Sequence, residues 1–427
     1  MVGWLNAQSL CGVVLTMLVC WAASEDRRRF PWKLALAALG IQIGIVLLLF
    51  GVPAARGVLL AIGLGVDGLA SSTQAGSAFV FGYLAGGAQP FQPSGDPTPP
   101  YLFAFRVLPV ILVVCALSAL LWHWGILKWI TRGFGFVFQR TLGLRGPPAL
   151  ATASTIFLGQ VEGPIFISAY LDKLTRSELF TLMAVGLSCV SGSTMVAYAT
   201  LLKPTLANAA AHVLTASIIS APAGVLLSRI LVPAEPTEAL VEGEPSLDRS
   251  YNSAIDAVIH GVGDGLTIAL NVGATLIVFV AFTSMVDKGL MLLPDVGGQP
   301  ISVERALGLL FAPLAWTLGI PWKEAQTAGL LLGVKLVLTE FTAFIDLGQI
   351  PQAVLSDRSR VIMTYALCGF ANVASVGITV AGFSTLVPDR RAEVLGLAWR
   401  ALLAGFLATC MTAAVVGALP DVLFHAA

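Results

Sequence analysis

Long apolar runs separated by short polar breaks dominate this chain. A helix that crosses a bilayer needs about 20 apolar residues. Runs of that length fall near 5–23, 33–52, 102–124, 178–202, 207–231, 256–286, 358–384 and 394–420, which predicts eight spans. Segment 53–101 differs. Its first half is apolar but carries Arg56, Asp67, Gln74 and Ser77, and it ends in the Pro-rich stretch 90–100. A helix lying along the membrane surface is the expectation there.

Two more apolar stretches resist reading as simple spans. The first, 149–171, holds Gly159-Gln160-Val161-Glu162-Gly163-Pro164 at its middle, and the second, 307–347, is cut by Pro313, Gly319-Ile320-Pro321 and Gly333. Both predict re-entrant hairpins, since backbone that is not helical survives at membrane depth only where protein or a water-filled cavity satisfies it. Two of the spans are themselves interrupted, by Ser188-Cys189-Val190-Ser191-Gly192-Ser193 and by Cys368-Gly369-Phe370-Ala371-Asn372. Close packing through small residues is the plain alternative for either span alone. The repetition argues otherwise: each half has a stretch carrying a carboxylate followed by an interrupted span. Matching discontinuities in two halves point to a transporter's midplane binding site.

The expected fold is therefore an all-α polytopic membrane protein. It has eight transmembrane helices, two re-entrant hairpins and two broken helices in an inverted repeat. Its units are 1–101, 102–231, an acidic loop at 232–253, and 254–427. Composition agrees. Of 427 residues, 57% are hydrophobic and only 11% charged, with a mean hydropathy of +0.86. Soluble domains carry roughly 25% charged residues, so too few are present to coat a water-facing surface. The zero net charge gives no reason to expect nucleic acid as a partner. The six cysteines lie far apart in apolar segments, with neither disulfide nor zinc spacing. Arg27-Arg28-Arg29 and Lys33 follow the first apolar run, which predicts a retained first helix with its N-terminus outside. On that topology the inner loops and adjoining helix ends carry roughly 15 of the 24 Lys and Arg, with Arg358 and Arg360 as exceptions.

Glu162 and Glu340 stand inside the two hairpin stretches. A carboxylate near the bilayer centre costs about 2.5 kcal/mol or more, so such a residue is a functional candidate by default. The alternative is an interfacial carboxylate tied up by Arg176 or Lys335; it fits less well because both runs stay apolar on either side. Asp256, His260 and Asp264 share one helix face at i, i+4 and i+8, which reads as a packed or solvated polar face rather than a metal site.

These segments resemble the concentrative nucleoside transporters over nearly the whole chain. The likeness rests on Gln74-Ala75-Gly76-Ser77-Ala78-Phe79, Gly159-Gln160-Val161-Glu162-Gly163-Pro164, Thr175-Arg176-Ser177-Glu178-Leu179-Phe180 and Gly319-Ile320-Pro321-Trp322. It continues through Thr339-Glu340-Phe341-Thr342-Ala343-Phe344, 365–375, Pro388-Asp389-Arg390-Arg391 and 400–405. The resemblance implies cation-coupled nucleoside import by alternating access, a homotrimer in the lipid bilayer, and no enzymatic activity or cofactor. The short form points to a bacterial cytoplasmic membrane.

The resemblance also assigns roles. Gln160, Val161 and Glu162 face the nucleobase, Glu340, Asn372 and Ser375 the ribose, and Phe370 is a neighbouring aromatic. The coupling ion falls to Thr155, Leu158, Cys189 and Val190. Three departures stand out. Val161 replaces a usual Thr or Ser, Thr339 replaces a frequent Asn, and Thr155 with Cys189 replace the Asn and Ser of sodium-coupled members. A thiol is a poor ligand for a hard cation, so Na+ and H+ both remain open. A carrier of a free base or modified nucleoside on the same scaffold is the runner-up, and a passive pore comes behind it.

Overall fold

The computed structural model describes residues 3–88, 102–144, 146–160, 162–165, 167–234, 251–295, 300–421 and 423. Val161 and most of the acidic loop 232–253 lie outside them. The secondary structure described is helical throughout. The first half contains α1 (Trp4–Ala22), α2 (Trp32–Gly51), α3 (Pro53–Phe81), α4 (Phe103–Arg106), α5 (Leu108–His123), α6 (Ile126–Thr141), α7 (Pro147–Leu158), α8 (Glu162–Ile165) and α9 (Ser168–Leu171). It continues with α10 (Arg176–Ser188), α11 (Gly192–Leu202) and α12 (Ala209–Leu231). The second half contains α13 (Ala254–Leu290), α14 (Val303–Thr317), α15 (Trp322–Val337), α16 (Glu340–Gln349), α17 (Asp357–Leu367), α18 (Val373–Leu386) and α19 (Arg391–Ala418).

Among the described residues, eight segments are long and apolar enough to cross a membrane, and α14 with α15 form a further pair bent by 116°. The protein is thus an all-helical, multi-pass membrane protein. Its eight candidate spans are not quite the eight expected. Pro53–Ala85, expected along the surface, is a 33-residue helical stretch that is long and apolar enough to cross. Its interrupting charges are accommodated: Arg56 Nε donates to the Phe50 carbonyl, and Asp67 pairs with Lys203 at 2.8 Å. Segment 358–384, expected as one interrupted span, is α17 and α18 with the break at 368–372 where the interruption was expected, and neither half alone has crossing length. The stretch 307–347 also divides. Gly319, at φ +96°, helps turn the chain between α14 and α15, and the break before Glu340 comes only at Leu338–Thr339.

Burial sorts the helices into two groups. In the apolar 18-residue stretch of each, 89% of residues are buried in Arg176–Leu202, α12 and Pro388–Ala418, but only 12% in α13 and 6% in Pro53–Ala85. The first group forms the core and the second faces outward. Packing of α13 against α5 uses a Gly-x-x-x-Gly pair: a Cβ at Gly261 would lie 2.6 Å from Ala116 Cα, and one at Gly265 2.7 Å from Leu112 Cα.

The two arginines that ran against the charge bias have structural work. Arg360, fully buried, donates to the carbonyls of Leu347 and Ile350 (2.6 Å each), at the end of α16. Arg358 donates to the Gly417 carbonyl (2.7 Å) at the end of α19 and pairs with Asp421. Cations there meet unpaired carbonyls and the negative end of the helix dipole.

Candidate functional site

Three of the helix breaks in the core have a local cause. Gly159 ends α7 at φ 114° and ψ 177°, a conformation essentially restricted to glycine. Gly163 follows closely, its Cβ position only 2.3 Å from Thr155 Oγ1, so only glycine lets α8 fold back on α7. Thr339 caps α16 by accepting from the Thr342 N–H, and Asn372 caps α18 by accepting from the Ser375 N–H (2.7 Å). Such caps satisfy N–H groups that a new helix start leaves unpaired.

The breaks in α10–α11 and α17–α18 meet. The Phe370 N–H donates to the Cys189 carbonyl (3.2 Å). A Cβ at Gly369 would lie 2.7 Å from the Ser188 carbonyl oxygen and 2.5 Å from Thr409 Cγ2. Two interrupted helices therefore touch at their interruptions, where free backbone groups are concentrated.

A cavity of about 300 Å³ opens beside this crossing. Gln160, Glu162, Glu340, Phe370, Asn372 and Ser375 all line it, as does Leu158. Glu340 is 6% exposed, accepting from Tyr198 Oη (2.9 Å) and Asn372 Nδ2 (2.5 Å). Gln160 Oε1 accepts from the Thr379 hydroxyl (3.1 Å). Glu162 also borders a smaller cavity that reaches Cys115, Ser118, Tyr251 and Asp264, so Asp264 belongs to a polar wall and not merely to a solvated face. Neither suggested structural partner takes a candidate carboxylate. Arg176 pairs with Glu25 (2.9 Å), and Lys335 donates to neutral oxygens.

Of the ion-site candidates, Leu158 alone lines the large cavity. Cys189 Sγ donates to the Ser217 carbonyl (3.5 Å), and the Val190 N–H donates to Ser217 Oγ (3.3 Å). The Ser217 hydroxyl in turn lies 3.3 Å from the Val190 carbonyl and 3.4 Å from that of Ile156. Thr155 Oγ1 donates back to the Ala151 carbonyl (2.8 Å). Among the described residues, no group of three or more His, Cys, Asp or Glu could hold a metal ion.

Sequence reasoning missed Tyr198, Thr379, Ser217, Asn271 and Thr275. Tyr198 lies 142 residues from the carboxylate it meets, and Asn271 and Thr275 sit on the cavity face of an otherwise outward-facing helix. A polar residue recurring at i, i+4 within the sixth apolar run was the available signal.

Comparison with known proteins gives one answer. Residues 11–84 match the family model for the Na+ dependent nucleoside transporter N-terminus, 212–417 that for its C-terminus, and 104–205 a nucleoside recognition model. The chain is 33% identical to the nucleoside permease NupC of Helicobacter pylori over 96% of both chains. It is 30% identical to the rat sodium/nucleoside cotransporter 1, covering 63% of that longer protein. The structure matches CNTnw in an inward-facing substrate-bound state, with a TM-score of 0.86, 32% identity and 99% and 98% of the two chains covered. It also matches a CNTnw variant in an outward-facing state, with a TM-score of 0.87 and 31% identity. A carboxylate-lined cavity at two crossed helix breaks is thus set in a known framework, and the chain belongs to the concentrative nucleoside transporter family of membrane transporters.

Proposed function

We propose that this protein imports nucleosides by cation-coupled alternating access, and that the cavity beside the helix crossing is its substrate site. One observation carries the assignment of the site: Glu162 and Glu340, from opposite halves of the chain, line the same cavity. Its volume lies at the lower end of the range for small-molecule pockets.

In this reading Glu340 accepts hydrogen bonds from the vicinal ribose hydroxyls, with Asn372 and Ser375 beside it. A carboxylate accepts two such bonds with charge-assisted strength. Gln160 and Glu162 match the mixed donors and acceptors of a nucleobase edge. Val161 is assigned beside the base by the family resemblance, and Phe370 flanks the substrate. The stretches 147–171 and 322–349 act as re-entrant hairpins and, with the two broken helices, form the moving body of an inverted repeat. The exposed α3 and α13 serve as scaffold surface for lipid and for the partner copies of a homotrimer.

Charge-assisted bonds are worth roughly 1.5–3 kcal/mol each. A 3′-deoxynucleoside is therefore expected to compete for uptake about tenfold or more less well than its parent. Equal competition by both would remove the ribose clamp from the reading. Free bases competing as well as nucleosides would favour the runner-up substrate class.

Sodium is the coupling ion that the family models support. Thr155, Leu158, Cys189 and Val190 form the corresponding region. The Cys189 thiol, a poor hard-cation ligand, favours a proton as the second reading. Uptake into proteoliposomes distinguishes them. Stimulation by an inward Na+ gradient at clamped pH supports sodium, and stimulation by an inward acid gradient without Na+ supports protons. Uptake indifferent to both gradients, and never exceeding equilibrium, would leave only a pore.

A further inference from the structure

Lys335 is fully buried in α15, two residues before that helix ends, and it does not line the substrate cavity. An ammonium taken out of water is costly unless its donors are met. Here Nζ donates to the Ala366 carbonyl (2.8 Å) and the Thr409 hydroxyl (2.6 Å), and lies 5.6 Å from the centre of the Phe406 ring. Ala366 is in the last turn of α17, which ends at Leu367. Carbonyls there lack helical partners and carry the negative end of the helix dipole, so a cation is favoured.

Five residues further on, Glu340 grips the other side of the same break. Asn372, the N-cap of α18, donates to its carboxylate and accepts from the Ser375 N–H. The α15–α16 unit thus holds the end of α17 through Lys335 and the start of α18 through Glu340. Phe370 lies between those two grips. The base side is met further along α18, where Thr379 donates to Gln160.

We propose that Lys335 is a positioning residue for ribose recognition: by anchoring the end of α17 it sets where Asn372 stands against Glu340, without acting on the base side. This rests on the nucleoside reading above. An apolar residue of similar length could fill the space but could not bind the Ala366 carbonyl.

Equilibrium binding to the purified, detergent-solubilised protein tests it, with uridine and adenosine each compared with its 3′-deoxy analogue. Wild-type protein that binds none of them, or shows no preference for the ribonucleoside, refutes the nucleoside reading itself. Given that preference, Lys335→Met is expected to weaken ribonucleoside binding by about 30-fold or more while the deoxy analogues change by about threefold or less, so the ratio collapses. An unchanged ratio, or an equal loss for both ligands, overturns the proposal in favour of general packing. If Lys335→Met is not recovered folded, Thr409→Val is read the same way. It keeps the ammonium but removes one acceptor, and the ratio is expected to fall about threefold; an unchanged ratio there overturns the proposal equally.

Discussion

Glu340→Gln is expected to reduce nucleoside uptake by at least about 100-fold, because two charge-assisted bonds worth roughly 1.5–3 kcal/mol each are at stake. The substitution keeps the shape of the side chain and removes its capacity to accept on both oxygens. Tyr198 Oη and Asn372 Nδ2 each donate to a separate carboxylate oxygen. An amide would turn its own NH2 donor toward one of them. It would also lose the charge that strengthens bonds to ribose hydroxyls. The fold should survive, since Tyr198 stays stacked on Phe344 (4.2 Å) in either case. Proteoliposome uptake together with gel filtration in detergent checks both halves of this expectation. Wild-type uptake by the variant would remove Glu340 from the site.

Gly369→Ala should be nearly as damaging for a purely steric reason. The added methyl group would stand 2.5 Å from Thr409 Cγ2 and 2.7 Å from the Ser188 carbonyl oxygen. Thr409 is β-branched and fully buried, and it already accepts from Lys335. The methyl group therefore has nowhere to go without separating the two broken helices. Overpacking of this kind costs about 1–3 kcal/mol. The loss of uptake should be larger than that figure suggests, since the Phe370 N–H to Cys189 carbonyl bond holds the crossing beside the cavity. A lowered Tm in detergent and uptake reduced about tenfold are expected. Gly377→Ala provides the contrast. Nothing lies within 4 Å of its Cβ position, and alanine is the better helix former by about 1 kcal/mol. Equal behaviour of the two variants would show that the crossing tolerates separation.

The chain's membrane character, its helical class and the places where helices break were legible in the sequence, because each depends on local chemistry. Apolar length decides what can cross a bilayer, and Gly159 and the caps Thr339 and Asn372 act within a few residues of themselves. The carboxylates were legible for the same reason: a charge inside an apolar run is conspicuous whatever surrounds it. Segment 53–85 was less legible, because its charges look prohibitive for a span in isolation although its length and apolar content suit one. Lys203 and the Phe50 carbonyl, which meet Asp67 and Arg56, are partners that apolar periodicity does not show.

What the tertiary structure alone decided is which distant groups share one space. Nothing about Tyr198 in sequence joins it to Glu340, nor does Ser217 announce that it will lie between the end of α7 and the break at Cys189. Lys335 looked like a possible partner for a carboxylate, and its donors go instead to a helix end and a threonine. Periodicity and composition fix what each segment must bury. Contacts between segments depend on how helices stack once all are present, and a hydrogen bond over a hundred residues of separation leaves no mark in either residue's neighbourhood.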